Sequence, residues 1–351
     1  MTDPPNDTNQ HRLRPATLAD VGALAGVSSA TASRVLNGEG RRVADHLRLR
    51  VLAAAEQLDY VPNAHAQALM RVDTRTVGVL TFDMNNPYFV EICTGIFGVA
   101  KETGRLVTLG NVGGIPDDEL RYVALLRSQR VGSLILTGSG STDPAHNARM
   151  RAQLDGFRGA GGRVAVIGRH GIDCDAVRPD NVGGAVAAAE AFLELGHTDV
   201  GVISGASTVT VTEDRVGGFV DAYAAAGHAI APERIVPGDF LREGGARAMA
   251  TLLQRAPEIT AVYCINDAMA MGALGHLRAH AIDIPGRMSV MGFEDTVLSR
   301  EITPALSTVH LPMTEMGEAA MRLLLEPRSD AHRTVRFPTR LCLRGTTASA
   351  R

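Results

Sequence analysis

A small all-α unit followed by an α/β core of two doubly wound parallel-sheet lobes is the fold class this 351-residue sequence predicts. Three observations carry it. Apolar residues in the segment 17–59 recur at helical spacing only. From residue 76 onward, short β-rich runs alternate with helical segments. Those runs fall into two sets without detectable sequence repetition, which implies two sheets of βα units. The length suits two or three domains, and an apolar content of 45% is enough for substantial cores.

Residues 1–15 are polar and proline-rich with no apolar run, so they read as a disordered tail and not as a signal peptide. The first helix places Leu18, Val21, Leu24 and Ala25 on one stripe. Gly26 breaks the period and supplies the permissive backbone of a tight turn, and Ser28 can cap a second helix. On that helix Ala32, Val35 and Leu36 share one face, while Ser29, Ala30, Ser33 and Arg34 share the other. A helix with a small, polar outer face and one arginine can enter a major groove, where a guanidinium reads guanine bidentately. An ordinary surface hairpin shows the same pattern, so these residues alone leave both readings open.

The third helix is expected over residues 45–59, burying Val51, Leu52, Ala55 and Leu58, with Asp45 as its cap in place of Ala44. Arg41 and Arg42 in the preceding loop could touch phosphate, which favours binding without selecting sequence. Pro62 ends the unit, because the residue before a proline avoids the helical region. Asn63 can then cap a short AHAQALM segment, too short to hold a helix alone in water. Residues 11–75 carry nine arginines against six carboxylates, whereas the whole chain is formally −3. That local excess permits a nucleic-acid partner without diagnosing one.

In the core the first set of strands is TVGVLTF, RLVTLG, GSLILT and RVAVIG; the second is DVGVISG, RIVPGDF, AVYCIN and MSVMGF. Ligands of open α/β sheets sit beyond the carboxyl ends of strands, and a two-lobed protein places that crevice between its halves. The residues at those ends are therefore the ones to note: residues 85–89, including Tyr88 and Phe89, from the first set, then Glu213, Asp214, Arg215, Phe240, Asn266, Asp267, Glu294 and Asp295 from the second.

Other signals carry less. The glycines of residues 159–162 precede a strand, so they form no dinucleotide fingerprint, and residues 138–141 lack the GK[ST] of a phosphate loop. His276 and His280 have the i, i+4 spacing of zinc ligands, but no third ligand lies near, so a solvated helix face is the expectation. Cys93, Cys174, Cys264 and Cys342 are widely spaced in apolar surroundings and read as buried thiols of a reducing compartment. No run reaches membrane-spanning length and no nucleophile elbow appears. No catalytic constellation, metal site or cofactor is expected.

The segment TLADVGALAGVSSATASRVLN of residues 17–37, with residues 45–60 and the PNAHAQAL of residues 62–69, resembles the headpiece and hinge of the lactose-repressor (LacI/GalR) family of bacterial transcription regulators. The family patterns are TLxDVAxxAGVSxxTVSRVLN and PNxxAxxL. The likeness continues through NNPYF, DN, LGH, GDF, CIND, VMGFED and TPALSTVH. It implies a helix-turn-helix headpiece over 16–61, a hinge over 62–75, and two lobes like those of periplasmic binding proteins. The lobes are expected at 76–177 with 310–331 and at 178–309 with 332–347.

The resemblance further implies DNA contacts from Thr17, Ser28, Ser29, Ala30, Thr31, Ser33, Arg34 and Asn37. Leu69 matches the hinge leucine that, paired across two subunits, wedges into the minor groove and kinks the duplex. Tyr88, Phe89 and Phe240 are expected to flank a small sugar-like effector, with Arg215, Asn266 and Glu294 holding its polar groups; a base sandwiched on aromatics would use the same positions. The implied protein is a cytoplasmic, nucleoid-associated repressor binding a palindromic double-stranded operator as a homodimer or higher oligomer, with no membrane partner.

Two departures from the family pattern stand out: Glu294 replaces a common Asp, and Leu311 stands where a polar residue sometimes helps. Two rival functions share parts of this plan. A transporter's solute-binding protein has the same two-lobed core, but the missing signal peptide and added N-terminal unit oppose it. A sugar-handling enzyme would need a phosphate loop or paired catalytic carboxylates, and the sequence shows neither.

Overall fold

The computed structural model describes residues 16–36, 43–61, 75–113, 116–329 and 331–350. Two compact units divide at residues 73 and 74. In the first, helices α1 (Leu18–Ala25), α2 (Ser29–Leu36) and α3 (Asp45–Gln57) enclose Val21, Ala25, Ala32, Val35, Val51, Ala54 and Ala55. A capping box starts α1: the Asp20 amide donates to the Thr17 hydroxyl at 3.3 Å while the Thr17 amide donates to the Asp20 carboxylate at 2.8 Å. Gly26 ends α1 in the left-handed region at φ 63°. The Ser28 hydroxyl then accepts the Thr31 amide at 3.1 Å, capping α2 as expected. Gly22, which sequence reading passed over, sets the turn's closeness: a Cβ there would meet the Val27 carbonyl at 3.0 Å.

Three expectations fail here. Leu24 is 47% exposed and Leu52 is 42% exposed. At 100° per residue, each lies about 110° from the centre of its helix's buried stripe, so the apolar period was read one position too wide. Asp45 does not cap α3; Ala44 occupies that position without a side-chain bond, and Asp45 pairs weakly with Arg48 at 3.8 Å.

In the second unit, β1 (Thr76–Thr81), β2 (Leu106–Asn111), β3 (Ser133–Leu136), β4 (Arg163–Ile167) and β5 (Asp175–Pro179) form a parallel sheet in the order β2-β1-β3-β4-β5. A second parallel sheet runs β7-β6-β8-β9, built from β6 (Val200–Ser204), β7 (Ile235–Pro237), β8 (Ala261–Cys264) and β9 (Ser289–Met291). All eight strands expected from the sequence are present. The strand order reverses between β1 and β3 in one sheet and between β6 and β8 in the other, so each has its crevice at those carboxyl ends.

The chain passes between lobes more than once. After β5 it enters α7 (Asn181–Glu194), where a Cβ on Gly184 would strike Phe293 and Val309 of the second lobe. Strand β10 (Thr308–His310) follows the β9 edge, with Met291 bridged to Ser307 and Glu294 to His310. Helix α12 (Met313–Leu325) then packs on α4 (Pro87–Glu102) of the first lobe, where Gly95 faces the Thr314 carbonyl and Gly317 the Ile92 carbonyl.

Strand β11 (Thr334–Phe337) adds to the first sheet beside β5, and β12 (Arg340–Cys342) pairs antiparallel with β10. The expected boundary at 331 and 332 is therefore corrected: residues 334–337 belong to the first lobe, and the return follows them. A strand's sheet is decided by its pairing partner, which four residues of local sequence do not encode.

Candidate functional site

On α2, Ser29, Ala30 and Arg34 are exposed, Thr31 and Ser33 are half-buried, and Ala32 and Val35 are buried. The helix thus offers a small polar face with a single guanidinium, and its start is fixed by Ser28, whose hydroxyl also lies 2.9 Å from that of Thr31. Thr17 is exposed at the start of α1, its hydroxyl donating to Asp20 at 2.6 Å. Asn37, Arg41, Arg42 and Leu69 lie outside the described residues.

The six candidates of the core converge on the carboxyl ends of the two sheets. Asn86 caps α4 by accepting the Tyr88 amide at 3.0 Å, which fixes Tyr88 and Phe89 just past β1. Phe89 meets Tyr88 edge-on at 4.9 Å between ring centroids and stacks with Phe82 at 6.2 Å. Phe82 in turn touches Phe240 edge-on at 6.2 Å, joining the aromatics of the two lobes. Phe240 holds φ at 68°, and its ring lies over Gly205, where no Cβ would fit.

The polar side is built on Arg215, which is 3% exposed on α8 (Thr210–Ala225). Its Nε donates to Asn181 at 3.0 Å, and its Nη1 donates to the Ile265 carbonyl at 2.6 Å and to Glu294 Oε1 at 3.4 Å. Its guanidinium carbon sits 3.9 Å from the centre of the Phe293 ring, so stacking fixes the plane. Asn266 spends its amide internally: Nδ2 donates to the Phe240 carbonyl at 3.0 Å and Oδ1 accepts the Met269 amide at 2.9 Å. It positions Phe240.

Glu294 is 5% exposed with φ at 119°, and its Oε2 is buried without a partner, as is the Thr212 hydroxyl. Left-handed φ at Phe240, Glu294 and Asp295 is backbone strain concentrated at strand ends. Thr212 was missed by sequence reading, and Asn181 and Phe293, though they lie within the DN and VMGFED segments, were given no role there. The orphaned hydroxyl marks Thr212, the bond to Arg215 marks Asn181, and the stacked guanidinium marks Phe293.

Burial pushes the Glu294 carboxyl up to about 8, Arg215 pulls it down, and Asp267 adds to the rise. The folded state therefore keeps a proton that the unfolded chain releases near its ordinary value of about 4.3. Stability is then fully present below that value and falls as pH rises toward 8. Asp267 acts with the same sign, pushed up to about 7 by burial despite bonds from Thr308 and Thr296. Glu294→Gln should flatten, without abolishing, the fall in melting temperature across this range. An unchanged slope in thermal melts would show that Glu294 stays ionised.

A separate bridge joins the lobes at the cleft's rim. Arg169, just after β4, donates to Glu213 at 2.7 Å, to Asp214 at 3.0 Å and to the Thr210 carbonyl at 3.1 Å. The Thr210 hydroxyl donates back to the Arg169 carbonyl at 2.6 Å, and Ser141 pairs with Val209. Glu213 and Asp214, which precede Arg215 at the same strand end, tie the two lobes together.

Residues 17–63 match the family model described as bacterial regulatory proteins, lacI family, and residues 189–347 match the periplasmic binding protein-like domain. The HTH-type transcriptional regulator GalR of Escherichia coli K12 is 35% identical over 312 residues, 88% of each chain. The transcriptional regulator CelR–cellobiose complex superposes with a TM-score of 0.70 at 29% identity, covering 94% of this chain and 99% of that one. The Lac repressor dimer bound to operator and the anti-inducer ONPF shares the fold, with a TM-score of 0.81 at 24% identity over 95% of this chain and 100% of that one. These relatives are transcription regulators and not enzymes. A DNA-reading type of headpiece ahead of a two-lobed binding core, matched along nearly the whole chain by such a relative, places this protein in the lacI family of bacterial regulatory proteins.

Proposed function

We propose that this chain is a cytoplasmic, sequence-specific transcriptional repressor that grips a palindromic operator as a dimer and whose affinity is set by a sugar-like effector held between its lobes. The observation that carries the effector reading is unspent hydrogen-bonding capacity among buried side chains at the strand ends. Among the described residues, Glu294 Oε2 and the Thr212 hydroxyl are buried without partners, and Arg215 donates through Nε and Nη1 alone. Buried polar atoms without partners cost about 1–3 kcal/mol each, and a polyhydroxyl ligand recovers that cost. The adjoining aromatic wall of Phe89, Phe82 and Phe240 suits the apolar face of a sugar ring. One relative's solved structure holds cellobiose, which favours a sugar.

Dimerisation follows from the short α2, which spans only a few base pairs, so a twofold protein reading two half-sites is needed for selectivity. Exposed Val90 and Phe97, seven residues apart on one face of α4, and exposed leucines on the edge strand β2 offer apolar surface that a second copy would cover. The test is a gel shift on candidate palindromes with and without a sugar and nucleobase panel, run beside a turnover assay on the same compounds. One compound should change the shift and none should be consumed. Turnover without any shift would favour an enzyme.

A further inference from the structure

Asp295, the residue after Glu294, lines a different cavity of about 640 Å³, together with Arg300, His310, Arg340, Cys342 and Arg344. Asp295 is 1% exposed with φ at 61°, and four side chains donate to it. They are Arg344 Nη2 at 2.6 Å, Arg300 Nη2 at 2.9 Å, the Ser299 hydroxyl at 3.1 Å and His310 Nδ1 at 3.1 Å. Burial raises its carboxyl, yet the bonds from Arg300 and Arg344 hold it below the usual carboxylate range. It is an internal anion that pre-orients the cations around it.

The donors exceed what this one carboxylate can take. Arg344 is spent, since its Nη1 donates to the Leu306 carbonyl at 2.9 Å. Arg300 uses Nε and Nη2 on Asp295 and keeps Nη1. Arg340, the register partner of His310 across the β10–β12 ribbon, is exposed and has no acceptor among the described residues. Burial pushes the Cys342 thiol up, so it stays neutral and adds no negative charge. Glu91 lends Arg300 some further negative charge from outside the lining, where its carboxylate accepts the Val297 amide at 3.2 Å. Three arginines still face a single lining carboxylate.

We propose that this cavity is an anion site that takes the phosphate group of a small phosphorylated molecule, with Arg340 and Arg300 as its donors. Guanidinium groups match phosphate oxygens bidentately, and in a cavity open to solvent more than one such cation is needed to hold the anion against water. The cavity is far larger than inorganic phosphate and lies within the range of small-ligand sites, so it can hold the molecule that carries the group. It is formed by β10 and β12, the ribbon through which the chain passes between lobes, so occupancy would bear on their relative arrangement.

The test is calorimetric titration of the full-length protein with inorganic phosphate, glucose 6-phosphate and glucose. Phosphate and glucose 6-phosphate should both bind at millimolar concentration or below, more weakly as salt rises. Arg340→Gln should weaken both by about tenfold or more while its melting temperature and any glucose signal stay as in the wild type. Binding of inorganic phosphate alone would assign the site to the free ion, and tighter binding of glucose 6-phosphate to a phosphomonoester. The proposal fails if neither anion binds, or if Arg340→Gln binds both as tightly as the unaltered protein.

Discussion

Replacing Arg215 by Ala should abolish the effector response while leaving operator binding by the effector-free protein nearly intact. The side chain sits where three strand ends meet, and Asn181, the Ile265 carbonyl and the Phe293 ring fix its guanidinium. Charged hydrogen bonds to a ligand are worth about 1.5–3 kcal/mol each, so losing two lowers effector affinity by about 100-fold or more. Removing one partner of a buried pair ordinarily destabilises strongly. Here Glu294 can take up a proton, since burial already favours its neutral form, and that limits the loss. Gel shifts with and without effector, read beside a thermal melt, separate the cases. Joint loss of folding and DNA binding would make Arg215 structural, and an unaltered response would put the ligand elsewhere.

Arg34→Ala should weaken operator binding by about 1–3 kcal/mol per half-site and relax selection at one base position. Arg34 is the guanidinium on the exposed face of α2, which Ala32 and Val35 anchor from behind, so its removal leaves the headpiece core untouched. Competition among operators differing at single base pairs reads the effect. Equal weakening on every sequence would reassign Arg34 to the phosphate backbone.

The binding candidates were legible because the chemistry of an α/β protein collects at strand ends, and strand ends can be read from apolar runs. Arg215, Phe240, Asn266 and Glu294 were found that way and do meet in one crevice. What the side chains do there was less legible. Asn266 was expected to hold a ligand but spends both ends of its amide on Phe240 and Met269. Thr212 and Asn181 reach the crevice from helices, where no local pattern distinguishes them from a cap or a core hydroxyl. Strands β5, β10, β11 and β12 carry Arg178, His310, Arg336 and Arg340 within three to five residues, so no apolar run announces them as it does the equally short β3, β7, β8 and β9. In the headpiece, the turn at Gly26 and the cap at Ser28 were plain, whereas Leu24 and Leu52 show that a leucine at near-helical spacing need not face the core.

The contacts of Arg169 with Glu213 and Asp214 bear on how fast a ligand can come and go. Solvent reaches 40% of the Arg169 side chain and 52% of Glu213, so the pair is screened and worth roughly 0–1 kcal/mol. That ion pair opens by thermal fluctuation and loosens with ionic strength, whereas the neutral bonds beside it, from the Thr210 amide to the Gly140 carbonyl at 2.9 Å and from the Thr142 amide to the Thr208 carbonyl at 2.8 Å, do not. Salt should therefore shorten the residence time of a bound effector more than it alters the grip of the buried Arg215, which lies out of reach of mobile ions. The rim would set the rate of exchange, and the interior the affinity.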